Sequence, residues 1–218
     1  MRIFSHFISV LIHPVFIVVY SFLIYFEIDS FYNKMLFIAA PKIYWLLLVF
    51  ILMMAVCFPL LTMFIMFKNK IISSYSINER KERIPMLFFV IIYYSMTYYI
   101  FRHWNETLLN LLEPYVYFLF AGILLLIIVF IITFWWKISL HSASISGLCG
   151  GIMAETLVIS ELNNITTIMI INTVLLMLIG IVSFSRLYLK AHTFSQVITG
   201  IVLGFGIMFM TVYFKLYV

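Results

Sequence analysis

The chain has 218 residues, of which 66% are hydrophobic and only 10% are charged. Soluble domains typically contain roughly 45–50% apolar and about 25% charged residues. This composition therefore excludes a soluble globular protein, a disordered chain and a secreted disulfide scaffold. The net charge of +5 is typical of the basic loops of membrane proteins and gives no reason to expect a nucleic-acid partner. The composition predicts a helical protein that crosses the membrane several times.

Seven apolar stretches follow one another along the chain, each near the length of about 20 residues that a helix needs to cross the hydrocarbon core. They are residues 7–26, 43–67, 86–101, 115–136, 142–159, 165–184 and 195–214. The sequence contains no alternation long enough for a β-barrel and no repeat or low-complexity linker. We expect an all-α transmembrane bundle of six or seven spans that forms a single membrane domain, residues 1–218.

The fifth stretch is the least hydrophobic and holds many small residues, including Ser142, Ser146 and Gly147. Small residues let helices approach closely, which predicts that this helix lies inside the bundle. The stretch also carries Glu155, an ionisable group at membrane depth. Glu155 lies 14 residues after His141, about 21 Å along a straight helix. We therefore expect Glu155 to make an interhelical hydrogen bond outside any site that contains His141.

Three polar connections, residues 68–85, 137–141 and 185–194, are separated from one another by two spans each, which places them on the same membrane face. Their Arg, Lys and Ser side chains carry N–H and O–H groups that suit a phosphate dianion. His141 and His192 lie on different connections, so one imidazole can attack phosphorus while the other protonates the leaving oxygen. No cluster of carboxylates accompanies them, so we expect neither a metal nor a cofactor.

The run from Ser185 to Gln196 resembles the third signature of the type 2 phosphatidic acid phosphatase (PAP2) superfamily, which reads S-R-x5-H-x3-D. Ser185, Arg186 and His192 match this signature at the expected spacing. Gln196 stands where the family has an aspartate. The resemblance implies a PAP2-like core at approximately residues 68–214.

Two further segments resemble the remaining PAP2 signatures less closely. Ser139-Leu140-His141 is similar to the second signature, P-S-G-H, with Ile138 in place of the proline and Leu140 in place of the glycine. The basic run that contains Arg80, Lys81, Arg83 and Pro85 resembles the first signature, K-x6-R-P.

The resemblance implies a role for each matching residue. His192 would be the nucleophile that forms a phosphohistidine intermediate, and His141 would be the general acid for the leaving alcohol. The phosphoryl oxygens would be bound by Arg186, Ser139, Ser185 and Arg83, with Arg80 or Lys81 in place of the first signature's lysine. The implied activity is metal-independent hydrolysis of a lipid phosphate monoester or a lipid diphosphate. The headgroup would lie at the membrane surface and the tail between helices.

Gln196 leaves two rival hypotheses open. Its amide oxygen can accept a hydrogen bond from His192 one helical turn away and fix the tautomer, but it brings no charge. Neutralising the corresponding carboxylate in a serine protease costs ~10⁴ in rate. The chain could therefore be a weak or inactive relative that binds lipid phosphates. It could also be a transporter or assembly protein whose basic loops only set topology.

Other polar residues match no signature. We interpret His6, His13 and His103 as structural or interfacial. Glu79 and Glu82, in the first polar connection, could supply the charge that Gln196 lacks.

The membrane orientation stays open. Nine basic residues lie on the face of the polar connections together with the N-terminus, and four lie on the opposite face. This excess places the polar connections in the cytoplasm. Four of the nine are candidate phosphate ligands, however, and without them five basic residues face four, a difference too small to fix the orientation. The resemblance implies the bacterial inner membrane, where lipid phosphatases of this family commonly face the periplasm.

Overall fold

The computed structural model describes residues 1–28, 30–75, 77, 79–103, 106–158 and 164–215, with residues 31, 32, 39 and 106–111 described by their backbone alone. All the secondary structure in this part of the chain is helical, with ten α-helices and no strand. They are α1 (Arg2–Leu11), α2 (Ile17–Glu27), α3 (Phe31–Ala39), α4 (Ile43–Ile51), α5 (Phe58–Lys68), α6 (Arg80–His103), α7 (Glu106–Thr133), α8 (Leu140–Val158), α9 (Ile165–Tyr188) and α10 (Phe194–Tyr213). A 3₁₀ turn, Pro14–Phe16, joins α1 to α2, and a π-helical segment, Leu52–Cys57, joins α4 to α5.

The chain is an integral membrane protein with several spans. Within the described residues, six helical segments are long and apolar enough to cross a membrane. They are Arg2–Glu27, Ile43–Lys68, Arg80–His103, Leu112–Thr133, Ile165–Tyr188 and Phe194–Tyr213. The predicted all-α transmembrane bundle is confirmed.

The remaining long helix, α8, lies inside the bundle, as its small residues predicted. Its buried positions extend from Ser142 to Glu155. The helix packs mainly against α10, and glycines bring the two backbones together. A Cβ on Gly204 would collide with the carbonyl oxygen of Ala143, and a Cβ on Gly150 would meet the backbone of α10. This close contact fixes the positions of the polar residues that precede both helices.

Glu155 is buried in α8 with a relative exposure of 2%. Neither of its carboxyl oxygens has a hydrogen-bond partner among the described residues. The expected interhelical hydrogen bond is therefore wrong. The buried Tyr115 hydroxyl of α7 lies 3.1 Å from the Ser21 hydroxyl of α2, so these two hydroxyls have each other as hydrogen-bond partners.

The first span is interrupted, although the sequence stretch 7–26 suggested one continuous helix. α1 ends at Leu11, and α2 begins only at Ile17. Pro14 lacks the N–H needed to continue α1, and its ring disfavours the preceding helical turn. His13 takes an extended conformation and caps the 3₁₀ turn through its side chain. The interruption turns His13 out of the helix.

The third span begins earlier than the sequence suggested. The apolar stretch begins at residue 86, but α6 begins at Arg80. Glu82 lies in the first turn, where the helix dipole favours a negative charge. The earlier start places Arg83 on the helix rather than in the connection.

Candidate functional site

The three polar connections meet at one end of the bundle, as predicted. The Arg83 guanidinium donates from Nη1 to the Ile138 carbonyl oxygen at 3.1 Å. The Lys137 ammonium donates to the Ala191 carbonyl oxygen at 3.3 Å. The Ser139 backbone N–H donates to the Gln196 carbonyl oxygen at 3.3 Å. These hydrogen bonds join segments that lie far apart in the sequence.

A cavity of about 200 Å³ begins at this end of the bundle. We call its polar end the mouth, which is lined by His13, Arg83, His141, Arg186 and His192. From the mouth the cavity continues between the helices, and we call this part the apolar arm. Its walls include Met86, Val90, Phe118, Gly122, Leu125, Leu148 and Met208. Both Arg83 and Tyr94 line the cavity on α6, so it extends about 16 Å along that helix.

His192 is held in one tautomer by Gln196. The Gln196 side-chain oxygen accepts from the Thr193 backbone N–H at 3.3 Å and lies 3.0 Å from His192 Nδ1. A backbone N–H can only donate, so the atom that faces it must be the amide oxygen. That oxygen can only accept from the imidazole. The hydrogen of neutral His192 is therefore on Nδ1, and its lone pair is on Nε2.

Gln196 is fixed by a second hydrogen bond. Its backbone N–H donates to the Thr193 hydroxyl at 3.4 Å, which completes a capping box at the start of α10. In such a box the first and fourth residues satisfy each other's backbone N–H groups. The same short motif that starts the helix therefore holds the His192 imidazole.

Positive charges surround His192. Burial lowers the pKa of His192 to about 4, the Gln196 hydrogen bond opposes this shift, and the charges of Arg83, Arg186 and Lys137 reinforce it. Burial also lowers the pKa of Lys137, and the charges of Arg83 and Arg186 add to the effect. At neutral pH the His192 imidazole is uncharged, with its Nε2 lone pair available.

These cations have no carboxylate partner in the described part of the chain. Arg83 donates from Nε to the Ile77 carbonyl oxygen at 3.1 Å, and Arg186 donates from Nη1 to the Ser9 hydroxyl at 3.2 Å. Arg186 Nε is buried and has no partner among these residues. Burial of a charge without an opposite charge beside it costs free energy. An anion bound between these cations would offset that cost, so the mouth is suited to an anion.

His141 is held by the first helix. Its Nε2 lies 3.0 Å from the Ser9 carbonyl oxygen. Because a carbonyl oxygen only accepts, Nε2 of His141 carries a hydrogen. Any proton that His141 gives or takes in this arrangement is therefore on Nδ1. The imidazole of His13 lies edge-on to that of His141, with 5.2 Å between ring centroids.

The sequence interpretation missed Ser9 and His13. Ser9 contacts both His141 and Arg186, and His13 lines the mouth. A signal was present in the sequence. Ser5, Ser9 and His13 recur every four residues in an apolar stretch, which places them on one face of a helix.

The two predicted phosphate-binding serines do not line the cavity. The Ser139 hydroxyl is fully buried and lies 2.9 Å from the Ser142 hydroxyl at the start of α8. The Ser185 hydroxyl donates to the Ile181 carbonyl oxygen at 2.8 Å within α9. Each hydroxyl has a partner within local helix structure, and the role of the two serines in phosphate binding stays a prediction. Ser144, which the sequence interpretation passed over, lines the cavity.

Arg80 and Lys81 also lie outside the cavity lining. Lys81 is exposed and Arg80 is half-buried in the first turn of α6. Arg83 occupies the mouth, and Lys81, two residues earlier, points about 200° away around the helix. Arg80 lies one turn closer to the helix end. Of the three basic residues in the segment that resembles the first signature, the structure brings only Arg83 to the histidines.

Glu82 does not supply the charge that Gln196 lacks. Its carboxylate accepts from the Ser73 backbone N–H at 2.8 Å, outside the cavity. Glu79 is exposed. Gln196 is thus the residue that holds His192, and it does so as a neutral group.

No family model, no curated protein and no solved structure matches the chain. The resemblance to the PAP2 signatures therefore rests on the motif residues themselves. The function has to be inferred from the geometry of the mouth and the apolar arm.

Proposed function

We propose that the protein is a membrane-embedded phosphatase that hydrolyses a lipid phosphate monoester or a lipid diphosphate through a phosphohistidine intermediate on His192. One observation carries the proposal: a histidine with a free Nε2 lone pair lies among three cations that have no carboxylate partner in the described residues. This combination supports attack on an anionic phosphoryl group.

The first chemical step assigns a separate task to each histidine. The Nε2 lone pair of His192 attacks phosphorus, and the bond from phosphorus to the lipid oxygen breaks. The leaving oxygen takes the proton from Nδ1 of the His141 imidazolium. Burial and the Arg186 charge lower the pKa of His141, and binding of the anionic phosphate beside it opposes that shift, so that His141 is protonated for this step. Arg83 and Arg186 stabilise the negative charge on the phosphoryl oxygens. Gln196 is a positioning residue, because it keeps the hydrogen of His192 on Nδ1.

The second step restores the enzyme. A water molecule attacks phosphorus, His141 Nδ1 takes the water proton, and the bond between phosphorus and His192 Nε2 breaks. Inorganic phosphate leaves, and the lone pair returns to Nε2. The same imidazole therefore acts as acid and then as base, as microscopic reversibility requires.

The apolar arm supports a lipid as the source of the phosphate group. Below the mouth its walls are formed by side chains such as Met86, Val90, Phe118 and Leu125. Such walls are about as apolar as the bilayer interior, so a lipid tail can pass from the membrane into the arm without contact with water. A phosphate ester without a tail would bind the mouth and leave the arm unused.

The test is phosphate release by the purified full chain in detergent, with a metal chelator present, across a panel of lipid phosphates. We expect release by the parent and none by His192→Ala. Acid-labile phosphate on a peptide that contains His192 would identify the intermediate. If the parent releases no phosphate from any lipid on the panel, the hydrolase proposal fails.

A lipid-phosphate binding protein is the second candidate. The neutral Gln196 favours it, since an amide gives no electrostatic support to a phosphorylated imidazole. A binding protein would retain phosphate affinity without release, and Gln196→Glu would leave it without hydrolytic activity.

We further propose that the membrane is the inner membrane of a bacterium, on the basis of the resemblance alone. The structure changes the charge argument, because Arg80 and Lys81 do not line the cavity. They therefore count as ordinary loop charges, which favours a cytoplasmic mouth by the positive-inside rule. Labelling of Lys190→Cys with a membrane-impermeant maleimide in intact cells tests this. Labelling would place the mouth outside the cytoplasm.

A further inference from the structure

The N-terminal helix contributes to the mouth through an unusual arrangement of its faces. In α1 the polar residues Ser5 and Ser9 are buried, whereas Ile3, Phe7 and Val10 are exposed. In a membrane protein the apolar side of such a helix faces lipid, and its polar side faces the bundle. The polar side of α1 ends at the mouth of the cavity.

Ser9 anchors this helix to the site by two hydrogen bonds. Its carbonyl oxygen accepts from His141 Nε2, and its hydroxyl accepts from Arg186 Nη1. The Ser9 hydroxyl also donates to the Ser5 carbonyl oxygen at 2.9 Å, so its own hydrogen is already used. These contacts bring the end of α1, and with it His13, onto the cavity wall.

The hydrogen of His13 is placed by the backbone. His13 Nδ1 accepts from the Val15 backbone N–H at 3.3 Å, so Nδ1 carries no hydrogen and neutral His13 has its hydrogen on Nε2. Within the described part of the chain, no hydrogen-bond partner is found for this Nε2–H. His13 therefore presents an unused donor in a cavity already lined by Arg83 and Arg186.

We infer that His13 is a third, unassigned ligand of the phosphoryl group, whose Nε2–H donates to an oxygen of the bound phosphate. The inference deepens the proposed function and rests on it only for the source of the phosphate. Neutral His192 carries its hydrogen on Nδ1, whereas neutral His141 and His13 carry theirs on Nε2. His192 offers a lone pair, His141 moves a proton on Nδ1, and His13 donates from Nε2.

The variant His13→Asn separates this role from helix capping. Asparagine is among the preferred capping residues, so its side-chain oxygen can accept from the Val15 N–H, but the donor at Nε2 is lost. His13→Ser keeps the cap in the same way. His6→Asn is the matched control, because His6 is exposed on α1 and does not line the cavity.

The experiment is calorimetric binding of inorganic phosphate to the purified full chain in detergent at pH 7, with thermal unfolding as the measure of folding. We expect the Kd to rise about tenfold in His13→Asn, since a hydrogen bond to a charged group is lost. We expect no change in His6→Asn. An unchanged Kd in His13→Asn or His13→Ser overturns the inference, as does a parent that binds no phosphate. Failure of both cap-preserving variants to fold would also overturn it, because the imidazole would then be structural.

Assaying phosphate release on the same preparations separates the two proposals. A parent that binds phosphate but hydrolyses no lipid phosphate overturns the hydrolase and leaves the His13 assignment standing. A parent that hydrolyses lipid phosphates, together with a His13→Asn variant of unchanged Kd, overturns only the His13 assignment.

Discussion

The mouth and the apolar arm belong to one cavity but are built in different ways. The mouth depends on five side chains from four separate segments, and each side chain is held by a hydrogen bond whose donor and acceptor can be named. The arm depends on the spacing of helices and on small residues that leave room between them. The chemistry of the mouth is therefore sensitive to the position of single atoms, whereas binding of a tail in the arm is sensitive to the volume of the side chains that line it.

The largest effect on catalytic activity is expected from a substitution in the mouth. Arg186→Met removes a cation that faces His192, and loss of one charge-stabilising donor typically lowers the rate by about 10²–10³-fold. We expect that loss in kcat/KM for any lipid phosphate. Lys190→Met is the control, because Lys190 is exposed in the adjacent connection. Equal activity of the two variants would contradict the assignment of Arg186 to the phosphate.

Binding of a lipid tail in the apolar arm should depend only on the volume of the side chains that line the arm. Gly122 lines the cavity, and a Cβ built on it meets nothing within 4 Å. Gly122→Leu should fold and fill part of the arm, and the steric cost to a long tail, about 2 kcal/mol, lowers kcat/KM for long-chain substrates about 30-fold. Short-chain phosphates should react at the parental rate.

Gly180→Leu is the matched control for this experiment. Gly180 is an equally open helical glycine that does not line the cavity. A Gly122→Leu variant that hydrolyses long and short substrates as the parent does would show that the tail lies elsewhere.

Gln196, the neutral partner of His192, affects how kcat/KM should depend on pH. The pKa of His192 is lowered to about 4, and protonation removes the attacking lone pair, so kcat/KM should fall as the pH drops through about 4. Gln196→Glu keeps the side-chain length and the capping box but adds a negative charge. That charge raises the pKa of His192, so the acid limb should move to higher pH. The rate at pH 7 should rise about tenfold, well within the effect of a comparable carboxylate. A pH profile identical in parent and variant would contradict this role of Gln196.

A smaller effect on activity is expected at Ser9, whose hydrogen bonds hold His141 and Arg186 at the mouth. Ser9→Ala keeps the carbonyl that binds His141 but removes the hydroxyl that accepts from Arg186. A neutral hydrogen-bond acceptor contributes about 1 kcal/mol, so kcat/KM should fall about fivefold. Ser5→Ala, one turn away and outside the cavity lining, should be close to the parent. Equal kcat/KM of the two variants would remove Ser9 from the site.

The smallest effect on activity is expected outside the cavity. Glu155 is buried without a hydrogen-bond partner among the described residues, and an unsatisfied buried polar group costs about 1–3 kcal/mol. Glu155→Met should therefore raise the thermal midpoint of unfolding and leave hydrolysis unchanged. A lower midpoint would mean that the carboxyl makes a contact that stabilises the fold.

The sequence predicted the arm less completely than the mouth. The spans and the convergence of the three connections followed from apolar stretches and their order. The contact from His192 to Gln196 followed from a spacing of four residues. Apolar periodicity alone, however, did not indicate that a cavity would remain between α6, α7 and α8.

The sequence by itself determined the membrane class, the all-α bundle and the residues that lie one helical turn apart, because these depend on composition and on local helix geometry. Only the tertiary structure decided which donors face the cavity. Ser139 and Ser185 carry the predicted chemistry but are used by their own helices. His141 meets Ser9 across 132 residues, and Arg83 meets Ile138 across 55. Such contacts depend on how whole helices pack and where Pro14 interrupts the first span, which no local spacing encodes.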